Sequence, residues 1–198
     1  MKIHNILSID PGSDYSGIVF FNVVDDRLLK SCKIDNESVQ RIIDINRTKI
    51  SLVVIEMLSS YGIVGASVFE TAIWIGKYIR HLETIGLPWI LIKRSTVRGY
   101  WEPKDGKLEE LIRNGTIEKW PKTADGKIKL LVSKKYNFYP DLKSTEVNDQ
   151  IAAIAMASYF TFAWKNGKIT EKDFNILHTT PKKIKKIKKE KKIKGLKK

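Results

Sequence analysis

The 198-residue chain has one cysteine, Cys32, and three histidines, His4, His81 and His178. A lone cysteine cannot close an internal disulfide or build a structural zinc site by itself. Histidines so far apart supply no local metal motif. No apolar run reaches the ~18 residues that a membrane span needs. The opening MKIHNILSID lacks the apolar stretch of about 7–15 residues found in secretory signals. These absences predict a reduced, soluble, cytoplasmic protein. No internal repeat covers the part expected to fold.

What the chain has in excess is positive charge. It carries 36 Lys and Arg against 22 Asp and Glu, a net charge of +14. Residues 181–198 (PKKIKKIKKEKKIKGLKK) hold 11 Lys and one Glu, so +10 sits there and only +4 on the first 180 residues. Self-repulsion in such a run defeats compaction. The expected division is one domain over 1–180 and a disordered Lys-rich tail over 181–198. The field favours a polyanion, nucleic acid first and an acidic membrane surface second.

Hydrophobic patterning predicts the elements. IHNILSID (3–10) reads as a buried strand stopped by Asp10-Pro11-Gly12. SGIVFFNVV (16–24) and RLLKSCKI (27–34), separated by Asp25-Asp26, read as a hairpin, making three antiparallel strands. Asn36 is placed to cap a helix through Val39, Ile42 and Ile43. ISLVVIEM (50–57) is a β-branched run of the fully buried kind. Residues 67–85 carry a helical pattern through Val68, Ala72, Ile75 and Ile79, with Gly86 as the stop. PWILIK (88–93) is a fifth strand. An irregular insertion over about 102–123, with one short helix at KLEELIRN, is followed by a helix near 125–136. A final helix begins at Ser144 or Thr145 and is nearly all apolar after Asp149. The order predicts an α/β fold: a mixed sheet with helices on its faces.

Three acids stand at the ends of buried elements: Asp10, Glu56 and Asp149. Buried carboxylates are costly unless paired or bound to a metal. Converging at one sheet edge, they suit Mg²⁺, and a pair of such ions activates water for phosphodiester cleavage. Each acid alone also fits a plainer reading. Asp10 suits a hydrogen-bonding turn residue, Glu56 a solvated strand end, and Asp149 an acid at a helix N-terminus.

ILSIDPGSDYSGIVFF resembles the first hairpin of the RuvC-type Holliday junction resolvases, within the RNase H-like nucleases. VVIEM resembles their second acidic strand, and VNDQIAAIAMA their closing helix of small residues. The Ser59-Ser60-Tyr61-Gly62 loop and the VFETAIWIG helix are similar to resolvases carried by phages of Gram-positive bacteria. The resemblance spans roughly residues 3–165, apart from the insertion. It implies an RNase H-like five-stranded mixed sheet, a homodimer, and Mg²⁺-dependent (or Mn²⁺-dependent) cutting of four-way DNA junctions by paired symmetric nicks, in the service of recombination and repair.

The resemblance also implies four acids. Asp10 and Glu56 carry over directly. The closing helix departs from the family's i, i+3 pair: one alignment puts Asp149 first and Ala152 second, while a one-turn shift pairs Glu146 with Asp149. Glu146 is therefore the fourth candidate, with Asp14 or a water in its place otherwise. Arg98 is expected beside the phosphate, with Lys93 and Lys127 as further basic candidates. Tyr61 is expected to stack on an opened base, its alternative being the rim of a dimer interface. The 67–85 helix, with Trp74 and Tyr78 off its core face, is the expected dimer surface. Two other functions fit the same residues: cleavage of RNA–DNA hybrids or flaps, and non-catalytic binding of branched DNA.

Overall fold

A computed structural model of the chain describes residues 1–58, 65–102, 113–114, 121–138 and 146–178. Most of the expected insertion and the whole basic tail lie outside these residues, as does Tyr61. The described strands are β1 (Asn5–Asp10), β2 (Tyr15–Asn22), β3 (Arg27–Asp35), β4 (Leu52–Met57), β5 (Trp89–Lys93) and β6 (Leu177–His178). The helices are α1 (Asn36–Asn46), α2 (Ala66–Ile85), α3 (Arg94–Trp101), α4 (Ala124–Tyr136) and α5 (Glu146–Lys165). Among the described residues, the strands form one sheet in the order β3-β2-β1-β4-β5-β6. β1, β2 and β3 pair antiparallel, and β1, β4, β5 and β6 pair parallel. This is the expected five-stranded RNase H-like mixed sheet, with the two-residue β6 added at its edge.

Strand alternation divides the core into two layers. Leu7 and Ile9 of β1, with Val53 and Ile55 of β4, pack beneath α1 and α2. Ile6 of β1, with Leu52 and Val54 of β4, packs beneath α5. Because side chains alternate across a strand, Ser8, Asp10 and Glu56 share the α5 face. The Ser8 hydroxyl donates to the Ala153 carbonyl oxygen of α5 at 2.8 Å, tying that face to the helix. α5 is buried on most of its surface because the sheet covers one side while α3 and α4 cover the other.

Several local expectations are corrected. Asp35, not Asn36, caps α1: its carboxylate accepts from the Ser38 amide at 2.8 Å. Asn36 is instead the first helical residue and is buried. Its amide donates to the carbonyls of Gly12 and Ser13, and its oxygen accepts from the Ser16 hydroxyl, 3.0 Å from the Tyr78 hydroxyl. That network pins the turn immediately after Asp10. On α2 the buried face runs through Thr71, Ile75, Tyr78 and Leu82. Tyr78 is therefore a core residue whose hydroxyl finds partners inside, while Ala72 is exposed. The α2 stop is as expected: Gly86 takes the left-handed conformation, φ 67°, that a glycine adopts without strain. α3 was not anticipated from the sequence. Among the described residues, no helix is long and apolar enough to cross a membrane.

Candidate active site

β1, β4 and β5 run parallel and end on the same edge of the sheet, the edge where open α/β sheets hold their ligands. Asp10 ends β1. Glu56 lies one register step past the Ile9–Ile55 pair that joins β1 to β4, so the two acids are neighbours on the α5 face. They are 8% and 5% exposed. Burial raises the Asp10 carboxyl well above the usual carboxylate range, and Glu56 adds to the rise; Arg94 opposes it, while Asp149 and Asp125 reinforce it. Burial raises Glu56 as well, against Arg94 and Arg98, with Asp125 and Asp149 raising it further.

Asp149 reaches this pair because of Gly17. The register places Gly17 beside Asp10, and Lys33 beside Gly17, in one row across β1, β2 and β3. A Cβ on Gly17 would overlap the Asp149 carbonyl and stand 2.9 Å from the Asp149 Cβ. The missing side chain lets the first turn of α5 descend onto β2. The Asp149 carboxylate meets the Lys33 ammonium at 2.8 Å. One position along, the Ser31 hydroxyl donates to the Gln150 side-chain oxygen at 2.9 Å.

On the other flank stand two arginines from α3. Arg94, the first residue after β5, donates from Nη1 to Glu56 Oε1 at 3.2 Å. Burial works against its charge, but Glu56, Asp10, Asp125 and Asp149 together outweigh that and raise its pKa. Arg98 donates from Nη2 to both carboxylate oxygens of Asp125, at 2.8 and 3.1 Å. Thr123 caps α4 by accepting from the Gly126 amide, which sets Asp125 in the first turn. A cavity of about 380 Å³ opens here, lined among others by Glu56, Arg94, Arg98, Asp125, Asn148 and Ala152.

The structure thus brings together Asp10, Glu56 and Asp149, with Arg98 at the rim. Other expected residues fall elsewhere. Lys93 has the strand parity of Trp89 and Leu91, which pack beneath α2, so it points to the opposite face from Glu56. Lys127 is half-buried on α4, and its neighbours Gly126 and Ile128, rather than Lys127 itself, line the cavity. Asp14 is exposed and accepts from its neighbour, the Ser13 hydroxyl. Glu146 opens α5 one turn before Asp149, with its side chain outside the described residues, and Tyr61 lies outside them altogether.

Three charged residues of the site were missed from the sequence. Arg94 was legible as the residue directly after a parallel strand, on the edge where ligands gather. Asp125 was legible from Thr-Ala-Asp, a cap followed by a first-turn acid. Lys33 was legible only by counting alternation along β3 in step with β2.

The site's chemistry fits a hard divalent cation. Two desolvated carboxylates repel each other, a third adds to their field, and every side-chain donor is oxygen. Among the described residues, no three carboxylate, imidazole or thiol side chains are already gathered closely enough to hold an ion by themselves. Asp10 and Glu56 lie side by side at the strand ends, and the Asp149 carboxylate is held by Lys33.

No family model matches the sequence, and no curated protein matches it. Solved structures do. RuvC of Thermus thermophilus in complex with a Holliday junction substrate matches at 14% identity, covering 82% of this chain and 96% of that one, with a TM-score of 0.58. A second Thermus thermophilus RuvC structure matches over the same shares at 14% identity with a TM-score of 0.56. The fowlpox virus resolvase with its Holliday junction DNA matches at 15% identity over 81% of this chain and 98% of that one, at a TM-score of 0.46. The likeness to the first two is one of fold: the chain has the RuvC-type, RNase H-like fold that its sequence implies.

Proposed function

We propose that this chain is a divalent-metal-dependent endonuclease that resolves four-way DNA junctions as a homodimer, by paired symmetric nicks. The observation that carries the reading is the pair Asp10 and Glu56, two buried acids side by side at the carboxyl edge of a sheet with Asp149 beside them. A module that only bound DNA would gain nothing from presenting carboxylates to a polyanion. Asp10, Glu56 and Asp149 would hold Mg²⁺ or Mn²⁺, with Glu146 or Asp125 as the fourth acid. When bound, such ions supply an activated water and stabilise the leaving oxygen of a phosphodiester.

The remaining work falls to the chain's own residues. Arg94 screens the two buried acids from each other through its contact with Glu56, and its half-exposed guanidinium faces the cavity where a phosphate would lie. Arg98, anchored by Asp125, extends that basic rim. The +10 segment 181–198 adds affinity for any phosphate backbone without reading shape or sequence. Phe69 and Ile73 leave a large apolar area of α2 exposed, as a twofold interface would use.

Cleavage of a synthetic immobile four-way junction, with and without Mg²⁺, tests the reading. Symmetric nicks that require the metal are expected. Preferential cutting of an RNA–DNA hybrid would replace the substrate, and junction binding without any cutting would reduce the chain to a binding module.

A further inference from the structure

The reading of the acids as a cation site accounts for Asp10, Glu56 and Asp149 but leaves Lys33 unexplained. Lys33 lies on the edge strand β3, where a lysine ordinarily serves only to keep the edge from pairing with another chain. Here it is turned inward. It completes the register row Asp10, Gly17, Lys33, and its ammonium sits 2.8 Å from Asp149 Oδ2. Lys33 is 23% exposed and Asp149 36%, so the pair is partly withdrawn from water. The Tyr15 ring lies under the ammonium, 5.8 Å from its centroid, and limits where the side chain can swing.

We infer that Lys33 is a positioning residue of this site, one that holds the Asp149 carboxylate by Oδ2 and so presents Oδ1 toward Asp10. A carboxylate offers two oxygens, and fixing one by a charge-assisted hydrogen bond orients the other. Partners of this kind behind a metal ligand commonly govern its affinity by about 10–100-fold. Gly17 and Lys33 have complementary roles, since the glycine lets Asp149 approach and the lysine aims it.

This inference rests on the cation reading, and the test separates the two. Free Mn²⁺ is measured by electron paramagnetic resonance as the full-length protein is titrated with it. Lys33→Met should weaken binding by about tenfold or more, and Lys33→Arg should restore most of that. In an Asp149→Asn background, Lys33→Met should have no further effect, because the lysine acts through that carboxylate. Ser31→Ala, which breaks the adjacent contact between β3 and α5, should leave Mn²⁺ affinity unchanged.

A nearby positive charge that did nothing but repel the ion would give the opposite sign. Unchanged or tighter Mn²⁺ binding by Lys33→Met therefore overturns the inference. Equal losses in Ser31→Ala and Lys33→Met would overturn it too, reducing Lys33 to strand–helix adhesion. A wild-type chain that binds no Mn²⁺ would overturn the cation reading itself and this inference with it.

Discussion

Gly17 and Asp149 are in backbone contact: a methyl group on the glycine would occupy the space of the Asp149 carbonyl. Gly17→Ala must therefore push the start of α5 away from β2. Overpacking of this sort costs about 1–3 kcal/mol, and it should also abolish metal-dependent cleavage by withdrawing Asp149 from Asp10. Gly76→Ala on α2, where a Cβ meets nothing within 4 Å, should instead stabilise by up to about 1 kcal/mol. Thermal melts and junction cleavage of both variants check the contrast.

Asp10→Asn should abolish cleavage while leaving junction binding intact or tighter. It removes a ligand and also a negative charge that repels phosphate. Retained Mg²⁺-dependent cutting by this variant would remove Asp10 from the site. Glu146→Gln and Asp125→Asn, assayed alongside, decide which supplies the fourth acid.

The same substitution should reveal a pH signature. A carboxyl whose pKa is raised by folding binds its proton more tightly in the native state. Its stabilising effect is full below the ordinary carboxylate range and is lost as pH rises through the native pKa. Asp10, raised by burial and by Glu56, is such a group. Without added metal, Asp10→Asn should therefore melt above the wild type at pH 8, and the gap should close as pH falls toward about 4. Added Mg²⁺ should narrow the gap at pH 8. A gap that does not change with pH would show that Asp10 is not held in this way.

Arg94 and Arg98 should not be equivalent. Arg94→Met leaves Glu56, itself 5% exposed, without the guanidinium that contacts it. The cost should be about 1–3 kcal/mol, below the roughly 3–5 of a fully buried pair because Arg94 itself is half in water. Arg98→Met loses its bond to the exposed Asp125 and an attraction to Glu56 that involves no direct contact, and should cost less than about 1 kcal/mol. Denaturant melts measure both. If Arg94 faces the phosphate, its loss should also lower the cleavage rate more than the loss of Arg98.

Deleting residues 181–198 should weaken binding to duplex and junction alike and flatten the dependence on salt, because fewer counterions are released. The preference for junctions should survive. Equal duplex affinity and an unchanged salt slope in the truncated chain would give the +10 segment some other role.

The order of elements was written in the sequence because each element carries a short-range signature. LVVIEM is apolar on both faces because β4 is central, and Gly86 ends α2 because an αL position suits glycine. Asp10, Glu56 and Asp149 stood out for a similarly local reason: each is a charge set against apolar neighbours, which is conspicuous in any register. What the sequence could not supply was relative placement. Lys93 and Arg94 are adjacent in the chain, yet strand parity turns one toward α2 while the next, opening a helix, meets Glu56. Tyr78 reads in the sequence as a surface aromatic, yet in the fold its hydroxyl meets the Ser16 hydroxyl and the Asn36 backbone carbonyl.

Lys33 does not stand out locally in the sequence, because its partner, Asp149, is far away in the chain. Only the pairing of β3 with β2, and the seating of α5 over a glycine, join them. Local propensity and hydrophobic pattern are properties of neighbouring residues and can be read in one dimension. The field at the site is a sum over distances between groups far apart in the chain, and those distances exist only once the sheet has closed.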